Sequence, residues 1–193
     1  MTTALPIDRP WYRHLLAIAL AVGLVIGLLG LVYLGLTGAL TDRIFGDPRI
    51  DTWSGDWWWI PFIAAGGLVA AAVRSRLKIT DQVPGGVAVI ESGIVDHQVA
   101  PSWIRLSAVS AIAGASLGPS FALIMLGGGL GSWIASKRWP GDEAARLDTT
   151  MAGVSGGFGG AFTSPGLGTL IVSELAPTPK DRYIESVLPQ LFA

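Results

Sequence analysis

No charged residue interrupts the chain between Leu15 and Leu40. A helix over that stretch, rising about 1.5 Å per residue, more than covers a hydrocarbon core of about 30 Å. It is read as a tilted membrane span. A signal peptide is the rival, because Arg9 and Arg13 precede the run, but such a peptide has an apolar region of only about 7–15 residues. The segment is therefore expected to be retained.

Composition agrees with a lipid setting. Hydrophobic residues make up 51% of the chain and charged residues 14%, where a soluble domain carries about 25% charged. With 13 basic and 14 acidic side chains the net charge is −1, which leaves no cationic surface to displace counterions from a nucleic acid. The absence of cysteine removes disulfides, thiolate metal sites and cysteine nucleophiles. No His/Asp/Glu group has metal-ligand spacing, so neither a metal nor a cofactor is expected. The 26 glycines and 12 prolines suit membrane helices that pack closely and break.

A second apolar run, Trp57 to Val73, starts in a tryptophan cluster and stops at Arg74, Arg76 and Lys78. Basic residues collect on the cytoplasmic side. Residues 1–14 are thus expected to be a cytoplasmic tail, and 15–40 and 57–73 a spanning hairpin whose Asp-rich loop faces outward. The expected location is the cell membrane, crossed several times. From 84 to 175 the apolar pieces become short: Pro84 to Val95, Trp103 to Leu117, Pro119 to Ser136, Thr149 to Phe162 and Pro165 to Leu175. Main chain broken at membrane depth survives only where protein buries it or water lines it. This region is expected to build a cavity or pathway.

Two local signals refine that expectation. Gly23 and Gly27, Gly127 and Gly131, Gly153 and Gly157, and Gly156 and Gly160 have the spacing that lets helix backbones approach. Proline-containing junctions at Pro84-Gly85-Gly86, Gly118-Pro119 and Ser164-Pro165 predict helix starts, because proline belongs at the first helical position. The free amides and the dipole of a helix start attract an anion. Three such starts in one chain favour a path for a small anion, bound by main-chain dipoles without lysine or arginine. The competing reading is three loops bent for packing.

The stretch Gly114 to Ala135, G-A-S-L-G-P-S-F-A-L-I-M-L-G-G-G-L-G-S-W-I-A, resembles the signature of the CLC family of chloride channels and proton-coupled antiporters. That signature reads G-[KR]-E-G-P before a glycine-rich helix. The S-L-G-P variant is similar to a bacterial, ion-channel-like branch of the family. Ala161 to Glu174, A-F-T-S-P-G-L-G-T-L-I-V-S-E, is similar to the family's A-F-N-A-P-L-A-G-x-L-F-x-x-E segment. Pro84-Gly85-Gly86-Val87 falls where the family has G-S-G-I-P.

The resemblance implies an all-α integral membrane fold with broken and re-entrant helices, corresponding to the first inverted half of a homodimeric subunit. It places the anion site at Gly85, Gly86 and Val87 and at Ser116, Leu117, Gly118, Pro119 and Ser120. The family's anion-binding serine is replaced by Gly85, so backbone amides serve alone or Ser116 or Ser120 substitutes. Leu117 takes the gating position of the family's glutamate and Leu175 that of its second, proton-relaying glutamate. Leucine carries no proton, which implies uncoupled movement of chloride or a similar anion.

Family members have a second half, and Val187 to Ala193 reads as the opening of a further apolar segment, so 176–193 is expected to be a loop and a truncated start. The expected partners are the bilayer, a small inorganic anion, and a second copy or a missing second half. A non-conducting, truncated or accessory subunit is the alternative. A remoter one is an intramembrane serine protease, since Gly153-Val154-Ser155-Gly156 matches G-x-S-G, but Ser155 needs a histidine base and none follows it. Glu91 and Arg105 lie within apolar pieces, where an isolated charge is expensive, and are expected to pair. His97 is expected to be a solvated loop residue.

Overall fold

The computed structural model describes residues 10–45, 59–79, 86–113, 120–177 and 183–193. These form eight helices and no strand: α1 (Pro10–Phe45), α2 (Trp59–Arg76), α3 (Gly86–Ser92), α4 (Ala100–Ile112), α5 (Ser120–Arg138), α6 (Glu143–Phe162), α7 (Pro165–Leu175) and α8 (Tyr183–Phe192).

Among the described residues one helix is long and apolar enough to cross a membrane, over Tyr12–Ile44. Tyr12, Leu15, Ala19, Val22 and Ile26 on α1 are buried, and their alternating steps of three and four make one stripe along the helix. The opposite face leaves Leu24, Leu28 and Leu31 about two-thirds exposed. A contiguous apolar face of that kind calls for lipid or another chain. The helix is longer than the uncharged run at both ends. Pro10 opens it, where a missing amide hydrogen costs nothing, and it continues through Asp42 and Arg43. Loss of apolarity ends contact with lipid, whereas the hydrogen-bond ladder runs on into water.

The centre of the molecule is α6, which packs against α5, α7, α1 and α8. It starts at Glu143, ahead of the apolar piece that begins at Thr149, because Asp142 caps it: Asp142 Oδ1 accepts the Ala145 amide at 3.0 Å. Such a cap satisfies one of the four orphan amides of the first turn. The reversal from α5 needs Gly141, whose φ of 87° is left-handed and suits glycine.

The α5–α6 pair is antiparallel, with backbone against backbone. Gly127 and Gly153 meet each other's carbonyls, Gly131 meets the carbonyl of Thr149, and Gly157 meets that of Leu123. Four residues forward on α5 match four residues back on α6 at each step, so the register is fixed by glycine alone. Two of the expected small-residue pairs, Gly127 with Gly131 and Gly153 with Gly157, thus face one another. Gly23 and Gly156 instead face the backbone of Ala193, while Gly27 and Gly160 meet nothing within 4 Å among the described residues.

The main core gathers on this pair: Val89 and Ile90 of α3, Trp103 and Leu106 of α4, Ile124 and Met125 of α5, Met151, Val154 and Phe158 of α6, and Val172 of α7. Ser155, Thr169 and Gln190 form a buried polar knot beside it. Both hydroxyls donate to the Gln190 carbonyl, at 3.2 and 3.1 Å. The piece expected as the start of a further segment is helical, as α8, and seals α6 and α7 from the α1 side.

Candidate functional site

A cavity of about 590 Å³ opens between α2, α3, α4, α5 and α6. Gly86 and Val87, at the start of α3, and Ser120, at the start of α5, line it together. Two of the three expected helix starts therefore share one chamber. They are brought together by direct packing, since a side-chain carbon on Gly86 would sit 3.2 Å from Ile124 Cδ1, on the second turn of α5. Gly85, Ser116, Leu117, Gly118 and Pro119 lie outside the described residues.

The third helix start does not join them. α6 ends at Thr163 in a left-handed turn of φ 53°, and Ser164 then leads into Pro165 of α7. None of these residues lines the chamber. Thr163 lines a separate crevice between α1 and α6, of about 400 Å³. The Ser-Pro junction is thus a packing turn in the described structure. The same physics that predicts a helix start from sequence carries no information about where that start points.

Aromatic and aliphatic side chains form most of the chamber wall. Trp103 and Phe121 meet edge to face, with ring centroids 6.2 Å apart. Phe158 closes the wall on the α6 side and stacks on Phe162 at 5.7 Å. The polar wall residues are Arg74 on α2, Ser107 and Ser110 on α4, and Ser120 on α5. Arg74 brings one basic side chain to this wall. Its Nε–H donates to the Ile79 carbonyl at 3.2 Å. The signal was present in the sequence: Arg74 follows Ala70 and Ala71 by four and three residues, so all three fall on adjoining faces of α2. All three line the chamber.

Other expectations resolve as follows. Glu91 and Arg105 are both exposed and make no ion pair with each other among the described residues, which corrects the expected pairing. Each lies on the exposed surface of its helix. Leu175 packs against the main core, while its neighbour Glu174 is exposed. His97 is half-buried, and its Nδ1 is enclosed with no hydrogen-bond partner among the described residues, in place of the solvated ring expected. Ser155 lies in the buried knot, with its hydroxyl 3.3 Å from Thr169 Oγ1, and no histidine is among its partners.

The family model described as voltage gated chloride channel matches residues 81–193. The chain belongs to that family. The matched residues include α3 to α8 and therefore both helix starts on the chamber. Membership makes this a membrane protein of a family of chloride channels and transporters, in keeping with its all-helical architecture and its long apolar α1. No curated protein and no solved structure matches the chain.

Proposed function

We propose that the chain forms part of a path for chloride or a similar small anion, in which the anion passes the backbone amides at the starts of α3 and α5. The observation that carries this reading is the shared chamber: Gly86, Val87 and Ser120 line one space in a member of a chloride-channel family. The sequence around Ser116 to Pro119 belongs to the same site in this reading, with Leu117 at the gating position. A helix of the length of α5 ends in unpaired amide hydrogens and about half a positive charge, which favours an anion without a bound cation.

Transport is not proton-coupled in this proposal. Leu117 and Leu175 stand at the two positions where coupled members of the family carry glutamates, and leucine neither accepts nor delivers a proton. The protein resides in the cell membrane and crosses it several times, with its N-terminus and the Arg74, Arg76 and Lys78 cluster in the cytoplasm, as the distribution of basic residues favours. It works as a homodimer or together with a second half.

The test is flux from chloride-loaded vesicles carrying the purified protein. Efflux that depends on the identity of the external anion and is unchanged by a proton uncoupler is the expected result. Proton movement stoichiometric with chloride refutes the uncoupled mechanism, and absence of anion flux favours the accessory-subunit reading.

A further inference from the structure

The crevice between α1 and α6 is separate from the chamber and has no lining residue in common with it among the described residues. Its volume of about 400 Å³ falls within the range of about 300–1,000 Å³ that encloses small organic molecules. Gly27 of α1 and Gly160 of α6 line it, and a side-chain carbon added at either meets nothing within 4 Å among the described residues. Two bare stretches of backbone therefore face the space. Bare backbone alone names no ligand, but Gln190 of α8 lines the same crevice. It is only 1% exposed, and its Oε1 is enclosed with no hydrogen-bond partner among the described residues. The hydroxyls on the wall are already engaged, since Ser155 donates to the Gln190 carbonyl and Thr163 to the Phe162 carbonyl. An enclosed acceptor in this state is short of a donor that a ligand can supply.

The surroundings narrow the ligand. Gly27, Leu31 and Leu34 lie in the uncharged run of α1, and Leu31 is exposed on the face that calls for lipid, so the crevice is entered from the bilayer. No charged side chain lines it, and an ionised ligand would be desolvated there without compensation. A plain hydrocarbon leaves Gln190 Oε1 unsatisfied. A helix of another chain brings amides already spent on its own ladder. We infer that the crevice binds an uncharged, long-chain molecule bearing one hydroxyl, whose O–H donates to Gln190 Oε1 and whose hydrocarbon lies over the glycine backbones beside Leu31 and Leu34. This site stands whether or not the chamber conducts.

Gln190 can be changed without removing the buried knot, because Ser155 and Thr169 bond its main-chain carbonyl. The full chain in detergent micelles is photolysed with a lauryl alcohol analogue carrying a mid-chain diazirine, and crosslinked residues are mapped by mass spectrometry. Unlabelled lauryl alcohol or its methyl ether, which has no donor, is the competitor. Label is expected on the glycine-rich segments of α1 and α6, displaced by the alcohol at about fivefold lower concentration than by the ether, the worth of one hydrogen bond. Gln190→Met brings the two competitors level. Gly160→Leu, which occupies the open space, removes the crevice label and leaves any label on the outer leucines of α1. Equal competition by alcohol and ether, a preference that survives Gln190→Met, or label confined to those outer leucines overturns the proposal. So does crevice label that falls as the protein-to-detergent ratio rises, which assigns the crevice to a second copy of the chain. If Gln190→Met aggregates, the alcohol-against-ether comparison on the native chain decides, together with Gly160→Leu.

Discussion

Gly127 and Gly153 face each other across the α5–α6 contact so closely that each lies against the other's carbonyl. Neither neighbour is a side chain able to rotate away. Gly127→Ala and Gly153→Ala are therefore expected to force the helices apart and cost about 1–3 kcal/mol, the range for overpacking a filled core. Gly27→Ala and Gly160→Ala, where nothing lies within 4 Å among the described residues, are expected to leave stability unchanged or slightly raised through helix propensity. Thermal unfolding of the four variants in one detergent checks the contrast, and equal midpoints would contradict it.

Asp142 offers a separate measure of how α6 is held. Its carboxylate accepts the Ala145 amide from an exposed position, so Asp142→Ala removes a cap and little else. The expected loss is about 0.5–2 kcal/mol. Asp142→Asn retains an acceptor and is expected to recover most of it in the same unfolding experiment.

Ser155 separates the packing role from a hydrolytic one. Its hydroxyl shares the Gln190 carbonyl with Thr169, so after Ser155→Ala the carbonyl still has a donor. The expected cost is about 0.5–1.5 kcal/mol, the net worth of one hydrogen bond. The wild-type protein is expected to resist a fluorophosphonate. Covalent labelling that disappears in Ser155→Ala would establish a reactive serine instead.

Leu117 tests the assignment of the gating position. Leu117→Glu introduces a titratable group where the resemblance puts the family's gate, and flux is expected to become dependent on pH between acid and neutral. The direction follows from charge: the ionised carboxylate competes with the anion, and protonation below the carboxylate pKa range relieves that competition, so flux rises as pH falls. Flux indifferent to pH in the variant, with conducting wild-type protein as control, removes Leu117 from the path.

The elements that could be read from sequence are those whose ends are set by local chemistry. Pro165 opens α7 and Leu175 closes it where expected, because proline fixes φ at the start of a helix. The glycine spacing on α5 and α6 similarly announced a close helix pair. What escaped was set elsewhere in the chain. α6 extends back to Glu143 through a charged first turn that no search for apolar runs detects. Arg74 reads as the cytoplasmic end of α2 until α2 packs on α4 and brings it to the chamber. Glu91 and Arg105 occur in apolar stretches, yet the direction each side chain takes depends on which face of its helix is covered. The third helix start has the same signature as the other two and differs only in where the chain around it turns.

The glycine contact between α5 and α6 has one more implication. A pair fused through main chain has no rotamers to shift, so on this side the wall of the chamber is set by the spacing of two backbones, while Arg74 of α2 and Val87 of α3 face it from the other.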